Sequence, residues 1–231
     1  MGNDLNNKIG IITFHNSYNC GSMLQAFALQ QVVDRLTGKD SEIIDFSNEG
    51  QQKLYSVRQP NDSLKNVIKN IILAPWFKRI ARNYESYERF KKNNFRLSNF
   101  PIHKSADLSD ADYDIVVAGS DQIWNITIAD GDDAYFLPWV KNARKVAYAP
   151  SFGAKNIMDY AANPNRYAEY LRDFANLSIR ERNGLEWLQN LTGRDADLLL
   201  DPTLLLKRDD YAEIESHELK LPPRYIFYYS P

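Results

Sequence analysis

Short apolar runs alternate with polar, turn-forming stretches along most of the chain. The first run, 9–14, is followed at once by the turn-forming residues 15–21, which predicts a buried strand. Similar runs predict further strands at 42–46, 113–118, 145–149, 177–180 and 198–200. Helical stretches are expected between several of them. Because strands that alternate with helices form a mostly parallel sheet covered on both faces, the pattern predicts an α/β fold with a Rossmann-like, doubly wound architecture.

A helix is predicted after the first strand. Ser22 is the expected N-cap, and Gly38 is expected to end the helix. The residues predicted to share one face of this helix are Gln25, Leu29, Val32, Val33 and Leu36. With the strand at 42–46 the helix completes a βαβ unit. Ligands of such sheets bind at the carboxyl ends of the strands, so polar residues at those ends are the candidates for a site.

Residues 63–100 are helical in composition and lack strand alternation, which predicts a helical insertion in the domain. Residues 64–96 contain nine Lys and Arg against two Glu, with six aromatic residues interleaved. One interpretation is a solvated insertion whose aromatic rings pack in a core. The alternative is a platform for an anionic glycan or for the headgroup of a lipid-linked acceptor, with peripheral membrane contact through 64–96.

The two ends of the chain differ from the rest. Residues 1–7 are polar and are predicted to be disordered, while 8–221 are predicted to form one Rossmann-like domain. Pro222 and Pro223 mark the best boundary, because adjacent prolines stop a helix and extend the chain. We expect 222–231 to be a linker and the first strand, 225–229, of a C-terminal domain that is otherwise absent from this chain.

Composition narrows the function classes. The net charge of −2 and the pI near 6.0 give no basic excess, so we expect no nucleic-acid partner. Cys20 is the only cysteine, which favours a reducing compartment. No secretory signal and no run of roughly 18 apolar residues is present, so the predicted location is cytoplasmic, with the inner face of the membrane as an option. No ligand-spaced His, Cys or carboxylate cluster predicts a metal.

Two polar loops follow the predicted strands of the first half of the sheet. The loop 16–22 lies between the first strand and its helix, where free N–H groups favour an anion, but it is neither G-x-G-x-x-G nor a Walker loop. The loop 119–125 follows an apolar strand. There Asp121 could orient a sugar hydroxyl or act as a base, and Trp124 could offer a face to a pyranose. The alternative is that Ser120 and Asp121 cap a short helix while Trp124 packs in the core.

Three more strand ends carry polar residues. They are 148–153, 178–181 and 201–203. Arg180 would present a planar, permanently charged donor fork that suits a carboxylate or a phosphate, or it could form a structural ion pair with Glu181 or a nearby Asp. Asp201 is expected to shape a turn. Among the histidines only His15 lies at a predicted strand end, and His103 and His217 have no evident catalytic place.

These strand ends define the candidate site, since polar groups that converge on one crevice form a binding site. The catalytic candidates are Asp121 and Arg180. The substrate-binding candidates are Asn16, Asn19, Gly21, Ser22, Gly119, Ser120, Gln122, Trp124, Asn125, Ser151, Phe152, Gly153, Ser178 and Glu181.

The order and spacing of five motifs resemble the polysaccharide pyruvyl transferase family. The motifs are N-x-x-N-x-G, G-S-D-Q-I-W-N, Y-A-x-S-F-G, S-I-R-E-R and D-P-T-L-L-L, and the resemblance runs from Ile9 to about Leu206. It implies the N-terminal half of a two-domain transferase similar to the GT-B glycosyltransferases, with the active site between the domains.

The resemblance also implies a reaction. A pyruvyl group would pass from phosphoenolpyruvate, a donor substrate rather than a cofactor, to a sugar of a surface polysaccharide or exopolysaccharide, leaving a ketal and releasing phosphate. Arg180 would hold the donor, while Ser120, Asp121 and Ser151 would line the cleft. Family members take a histidine and basic residues from the C-terminal domain, so we expect this chain alone to be inactive.

Two alternatives remain open from the sequence. One is a GT-B glycosyltransferase that uses a nucleotide sugar, since the nucleotide in that fold usually sits in the second domain. The other is a non-catalytic glycan-binding module that uses the basic aromatic stretch at 64–96.

Overall fold

Six strands and eight α-helices form the described part of the chain. The computed structural model describes residues 8–216 and 220–228. The strands are β1 Ile9–Ile12, β2 Ser41–Ile43, β3 Ile115–Ala118, β4 Arg144–Ala147, β5 Ser178–Ile179 and β6 Asp197–Leu198. The helices are α1 Cys20–Thr37, α2 Glu49–Tyr55, α3 Leu64–Leu73, α4 Phe77–Asn94, α5 Ile157–Tyr160, α6 Pro164–Arg172, α7 Arg182–Thr192 and α8 Arg208–Ala212. Short 3₁₀ turns lie at Ala74–Trp76, Ser105–Asp107, Asp133–Phe136 and Pro202–Leu204.

The strands pair in parallel, which confirms the predicted parallel α/β sheet. The main sheet has the order β2-β1-β3-β4, and β5 pairs with β6. β5 follows the edge of β4, because Val146 forms a parallel bridge with Asn176. On the opposite edge, the segment 96–102 hydrogen-bonds to β2 and its exit, with bridges at Ile43 and Phe46. β2 and the segment 96–102 lie on one side of β1, whereas β3, β4 and β5 follow on its other side. The strand order therefore reverses between β1 and β3, and such sheets bind ligands in the crevice at the carboxyl ends of these two strands.

Both faces of the sheet are covered, because successive side chains of a strand point to opposite faces. Ile9, Ile11 and Val117 pack with the buried side of α1. The alternate residues Ile12 and Val116 belong to a second cluster, on the other face. The large rings of this second cluster include Trp124, Tyr135, Phe136, Phe152 and Phe174. The strands are shorter than the sequence predicted, but each lies within or overlaps its predicted run.

Helix α1 corrects one predicted cap and one predicted core residue. Asn19, not Ser22, is the N-cap, because its side chain accepts a hydrogen bond from the Ser22 amide at 2.8 Å. Gly38 ends the helix in the left-handed conformation, as predicted. Gln25 and Leu29 are buried, but Leu36 is 82% exposed, since the last turn of α1 extends beyond the sheet.

The helical insertion predicted at 63–100 is confirmed as α3, a 3₁₀ turn and α4. Tyr87 and Phe90 of α4 pack on the α1 face of the sheet, with Phe95 buried beside them. Neither α3 nor α4 has a buried residue of its own. The packed-aromatic interpretation is therefore correct for the C-terminal half of α4, whereas α3 projects away from the domain.

The C-terminal segment differs from its prediction. Residues 225–228 form no strand and are exposed, and Tyr229, the last residue of the predicted strand, lies outside the described residues. The stretch predicted to be disordered, 1–7, also lies outside them. No helix in the described part of the chain is long and apolar enough to span a membrane.

Candidate functional site

The residues that follow β3, β4 and β5 lie side by side at the carboxyl edge of the sheet. Asp121 forms a parallel bridge with Pro150, and the Ser151 amide donates to the Asp121 carbonyl at 2.8 Å. On the other side, the Arg180 amide donates to the Pro150 carbonyl at 3.0 Å. Because adjacent strands lie about 4.8 Å apart, the Cα atoms of Asp121 and Arg180 are separated by about 10 Å. The two predicted catalytic residues therefore flank a single residue at this edge.

The carboxylate of Asp121 is held by the start of α1. The Ser22 hydroxyl donates to Asp121 Oδ2 at 2.5 Å, and the Asn19 amide nitrogen donates to the Ser22 oxygen at 2.9 Å. Oδ1 of Asp121 accepts from the Gln122 amide at 2.7 Å. Each carboxylate oxygen has a second lone pair, so the group can still accept a proton or a hydrogen bond from a ligand.

The backbone at Asp121 is unusual. Its φ of 73° lies in the left-handed region, which costs free energy for residues other than glycine and is least unfavourable for Asp and Asn. Gly119, with φ of 139°, precedes it across a cis peptide bond to Ser120. A Cβ on Gly119 would lie 2.0 Å from the Tyr148 carbonyl oxygen, so the close approach of β3 and β4 requires glycine here.

Arg180 forms an ion pair in the crevice. Its Nη1 lies 2.8 Å from Asp201 Oδ2, and both side chains are about a quarter exposed. The structural ion pair left open by the sequence is therefore present. Asp201 also accepts from the Thr203 amide at 3.0 Å, which confirms its predicted turn role. The guanidinium has five N–H donors and this pair engages one, so the group keeps donors for an anion.

Glu181 stabilises the loop that follows β4. Its Oε1 accepts from the Phe152 amide at 2.7 Å. Burial raises the pKa of Glu181, although the hydrogen bonds from Phe152 and Ser151 and the nearby charge of Arg180 oppose this. Glu181 therefore positions the 151–153 loop rather than pairing with Arg180.

Four predicted binding side chains are almost completely buried, at 2% exposure or less. Trp124 is fully buried, donates to the Tyr135 carbonyl at 3.1 Å and stacks on Phe136, so it offers no face to a sugar. Phe152 is buried against Trp124. The Ser120 hydroxyl donates to the Ala149 carbonyl at 2.6 Å, and the Ser178 hydroxyl links β4 to β5 through Ala147 and Ala149. The donors and rings of these four side chains are used within the domain, and a role for them in binding substrate stays a prediction.

The remaining candidates in these loops hydrogen-bond to one another and stabilise the wall of the crevice. Asn125 donates to Gln122 at 2.9 Å, and the Ser151 hydroxyl accepts from the Gly153 amide at 2.9 Å. A Cβ on Gly153 would lie 2.6 Å from the Asn125 amide nitrogen. Gln122 is exposed, so of this group it is the side chain best placed to meet a ligand. Gly21 is exposed in the first turn of α1, where a Cβ would meet only Asn19 at 3.4 Å.

A cavity of about 620 Å³ opens beside this crevice, between the ends of β1 and β2, helix α2 and helix α4. We call it the insertion cavity. Its lining is Asn16, Tyr18, Asp45, Ser47, Gln51, Gln52, Tyr55, Ser56, Val57, Tyr84, Glu88, Lys91, Pro101 and His103. Of the predicted site residues only Asn16 belongs to it.

A chain of charged and polar groups forms the floor of the insertion cavity. His15 is fully buried, and its Nε2 lies 2.9 Å from Asp45 Oδ1. Asn16 donates to the same oxygen at 3.1 Å and accepts from Lys91, which also pairs with Glu88 at 2.7 Å. Burial raises the pKa of Asp45, but the hydrogen bonds from His15 and Asn16 and the charge of Lys91 outweigh it and hold the pKa below its usual range.

Aromatic rings form one wall of the insertion cavity. The ring of Tyr18 lies 5.6 Å from that of Tyr55 and 4.8 Å from that of Tyr84. Burial and the hydrogen bond that Tyr18 donates to Glu88 raise the pKa of the phenol well above its usual value. Burial also raises the pKa of Tyr55, with smaller contributions from the charges of Asp130 and Asp121, while hydrogen bonds with Ser17 and Asn19 oppose it.

One buried polar atom in the insertion cavity has no partner. Gln51 is 1% exposed, and its amide nitrogen donates to Ser17 at 2.9 Å. Its Oε1 accepts no hydrogen bond from any described residue. An unsatisfied buried acceptor costs free energy of about 1–3 kcal/mol, which a ligand hydroxyl or amide could recover.

The sequence contained one usable signal for this cavity. Asp45 follows β2 at the same carboxyl edge as the other candidates, so the strand-end rule could have identified it. Tyr18 also lies in the predicted loop 16–22 after β1, whereas Gln51 and Lys91 had no such signal, because nothing local shows that α2 and α4 fold back over the strand ends. Among the described residues no group of three or more His, Cys, Asp or Glu is arranged to hold a metal ion.

Comparison with known families gives one match. The family model described as "Polysaccharide pyruvyl transferase" matches residues 19–230, which is most of the chain. No curated protein and no solved structure gives a significant match.

Proposed function

Because the chain belongs to the polysaccharide pyruvyl transferase family, we propose that it transfers the pyruvyl group of phosphoenolpyruvate to a sugar of a surface polysaccharide or exopolysaccharide. The product is a ketal across two sugar hydroxyls, and phosphate is released.

The placement of Asp121 and Arg180 on either side of Pro150 is the observation that supports this reaction most directly. It puts the backbones of a proton acceptor and a permanent cation about two strand spacings, roughly 10 Å between Cα atoms, apart at one edge of the sheet. Phosphoenolpyruvate carries a carboxylate and a phosphate, and a guanidinium suits either group. The donor would lie across this edge with an anionic group on Arg180.

The proposed chemistry requires two acceptor hydroxyls and one donor. Addition of the first hydroxyl to C2 of phosphoenolpyruvate, with a proton placed on C3, gives a tetrahedral phosphoketal. The second hydroxyl then attacks C2 and the C2–O bond to phosphate breaks. Of the two hydroxyl protons, one balances the C3 methyl and the other leaves with phosphate. Asp121, oriented by Ser22, would accept the proton from the attacking hydroxyl.

We place the acceptor sugar in the insertion cavity. Tyrosine rings supply apolar faces for a pyranose, and the unpartnered Oε1 of Gln51 can accept from a sugar hydroxyl. Tyr55 lies between the two regions, because it lines the cavity and its phenol hydrogen-bonds with Asn19. Asn19 in turn binds Ser22, whose hydroxyl holds Asp121. A sugar bound there would present its hydroxyls toward Asp121.

The proposal includes a GT-B-like arrangement in the cytoplasm. With the segment 96–102 counted beside β2, the spatial order of the parallel segments is that of a Rossmann sheet, which is the expected N-terminal half. In this arrangement a second domain closes over the crevice and supplies further cations and the general acid.

Calorimetry and product analysis test the proposal together. Titration with phosphoenolpyruvate should show binding that Arg180→Ala weakens, while UDP-glucose should give no heat of binding. Incubation of the natural full-length protein with phosphoenolpyruvate and the polysaccharide of its source should release phosphate and produce a ketal methyl signal by proton NMR. Binding of the nucleotide sugar without binding of phosphoenolpyruvate would instead support a glycosyltransferase.

A further inference from the structure

Helix α3 presents an apolar face that the rest of the described chain leaves uncovered. None of its ten residues is buried. Leu64 is 77% exposed and Ile71 67% exposed, and Ile68 and Ile72 are also exposed. Because residues at i, i+4 and i+7 share one side of a helix, Leu64, Ile68 and Ile71 form a continuous stripe. Trp76 extends this stripe in the 3₁₀ turn that follows α3 and is also exposed.

Positive charge surrounds this stripe. Residues 64–82 contain five basic residues and no acidic one, namely Lys65, Lys69, Lys78, Arg79 and Arg82. Within the described residues none of these five takes part in an ion pair. By contrast Lys91 and Arg96, farther along the same insertion, are paired with Glu88 and Asp34. Arg89 and Lys92, farther along α4, also take part in no ion pair among the described residues, but 64–82 is the part of the insertion that contains no acidic residue.

A groove adjoins the apolar stripe at the start of α4. It has a volume of about 740 Å³ and is lined by Trp76, Ile80, Asn83, Ser86 and the guanidinium-bearing residues Arg79 and Arg82. Two guanidinium groups beside an exposed tryptophan match the chemistry of the bilayer interface, where a phosphate lies next to the apolar chains. Tyr87 and Phe90, on the same side of α4 as Asn83 and Ser86 but one to two turns farther along, pack on the domain.

We propose that α3, the Ala74–Trp76 turn and the first turns of α4 form a docking surface for an anionic lipid bilayer. The apolar stripe enters the headgroup boundary, Trp76 lies at the interface, and the five basic residues contact lipid phosphates. A helix of ten residues is about 15 Å long, so α3 lies on the membrane rather than crossing it. A bilayer is favoured over a protein partner because Lys65 and Lys69 flank the apolar stripe and 64–82 contains no acidic residue, a charge pattern that complements an anionic surface.

The docking surface and the insertion cavity lie on one helix. Tyr84, Glu88 and Lys91 of α4 line the cavity, and the helix begins at Phe77. At 1.5 Å per residue these side chains lie about 10–20 Å along the axis from the docking end. If the proposed function is correct, a lipid-linked sugar could therefore reach the cavity while α3 rests on the bilayer. The docking itself does not depend on the reaction.

Flotation with vesicles tests this proposal. The protein should float with vesicles of equimolar phosphatidylcholine and phosphatidylglycerol, and far less with phosphatidylcholine alone. Ile68→Ser with Ile71→Ser, and separately Arg79→Glu with Arg82→Glu, should each lower the partition coefficient at least about tenfold, because each basic residue and each buried apolar side chain contributes to interfacial binding. All of these side chains are exposed or half-buried, so circular dichroism melting curves should be unchanged.

A matched control separates this surface from general charge effects. Lys155→Glu with Arg208→Glu changes the net charge equally at two exposed sites outside 64–82, and should leave flotation within about twofold of the parent, because the basic cluster of α3 and α4 is intact. Equal binding to both vesicle types, or equal loss in control and test variants, would overturn the proposal. So would a concentration-dependent dimer in sedimentation velocity that Ile68→Ser with Ile71→Ser abolishes, since a second copy would then cover the stripe.

Discussion

The hydroxyl of Ser22 donates a hydrogen bond to Oδ2 of Asp121 at 2.5 Å, although 99 positions separate the two residues in the sequence. This bond connects the first turn of α1 to the end of β3. It lies at the crevice between β1 and β3, where the strand order of the sheet reverses. It fixes the direction of the one carboxylate that flanks Pro150 opposite Arg180.

Asp121→Asn should abolish transfer while the fold is retained. Asparagine tolerates the left-handed backbone found at this position, with φ of 73°, and it keeps an oxygen for Ser22, but it cannot accept a proton. Loss of a general base costs about 10²–10⁴-fold in rate. Phosphate release by the full-length protein measures kcat, and a thermal melt provides the control. An Asn variant with parental kcat would rule out the base role.

Ser22→Ala should lower kcat about tenfold or more and leave the KM for phosphoenolpyruvate nearly unchanged, because a hydrogen bond to a charged group is worth about 1.5–3 kcal/mol. The helix start should survive, since the Ser22 amide still binds the Asn19 cap. Ser22→Thr restores the hydroxyl and should recover the rate. If the Ala and Thr variants behave alike in steady-state assays, Ser22 does not orient Asp121.

Arg180 and Asp201 allow a binding role to be distinguished from a structural one. Arg180→Ala should raise the KM and the Kd for phosphoenolpyruvate at least about tenfold, and Arg180→Lys should recover only part of this because an ammonium lacks the bidentate fork. Asp201→Asn breaks the same ion pair but keeps the guanidinium, so donor affinity should be equal or higher. Calorimetric titration with phosphoenolpyruvate distinguishes the two roles. A purely structural ion pair predicts a similar loss of donor affinity in all of these variants.

Gln51→Leu should raise the KM for the acceptor polysaccharide several-fold and leave the KM for phosphoenolpyruvate unchanged. The substitution removes the unpartnered Oε1 that we assign to a sugar hydroxyl. It also removes the amide donor to Ser17, so the free energy of unfolding must be compared with that of the parent. Gln189→Leu, on the exposed side of α7, is the matched control. An unchanged acceptor KM would show that no sugar contacts Gln51.

Asp110→Ala should lower the free energy of unfolding by about 1.5–3 kcal/mol at pH 7, because three backbone amides lose their hydrogen bonds to a charged group. The carboxylate accepts from the amides of Lys141, Asn142 and Ala143 at 2.6–2.9 Å. Asp112→Ala, at an exposed neighbouring position, is the control and should change stability little. Urea unfolding measures both.

The same residue predicts a dependence on pH. Burial alone would raise the pKa of Asp110, but its three backbone donors outweigh burial and hold the pKa below its usual range. A lowered pKa means that the stabilisation is fully present above about pH 4, the ordinary value for Asp, and is lost as pH falls through the lowered value. The difference between parent and Asp110→Ala should therefore shrink in acid. A difference that stays constant from pH 7 to acid unfolding would contradict this cause.

Several features of the site could be predicted from the sequence because their causes are local. Apolar runs identified the strands, the residues after each run identified the edge, and Gly38 marked the end of α1. Asp121 and Arg180 could be selected because each follows such a run. The roles of Trp124 and Ser120 could not be decided, since a residue just beyond a strand can point into the core or into the crevice with the same local pattern.

What the sequence by itself determined is therefore the parallel α/β sheet, its helical insertion and the strand ends where polar residues gather. Tertiary structure alone decided which of those residues meet. It placed Asp121 and Arg180 on either side of Pro150, turned Trp124 inward, and folded α4 over β1 and β2 to enclose Gln51 and Lys91. The physical reason is the separation along the sequence between the residues that interact. Strand and helix formation depend on neighbours a few residues apart, whereas register between strands and the packing of an insertion depend on contacts between residues tens of positions apart.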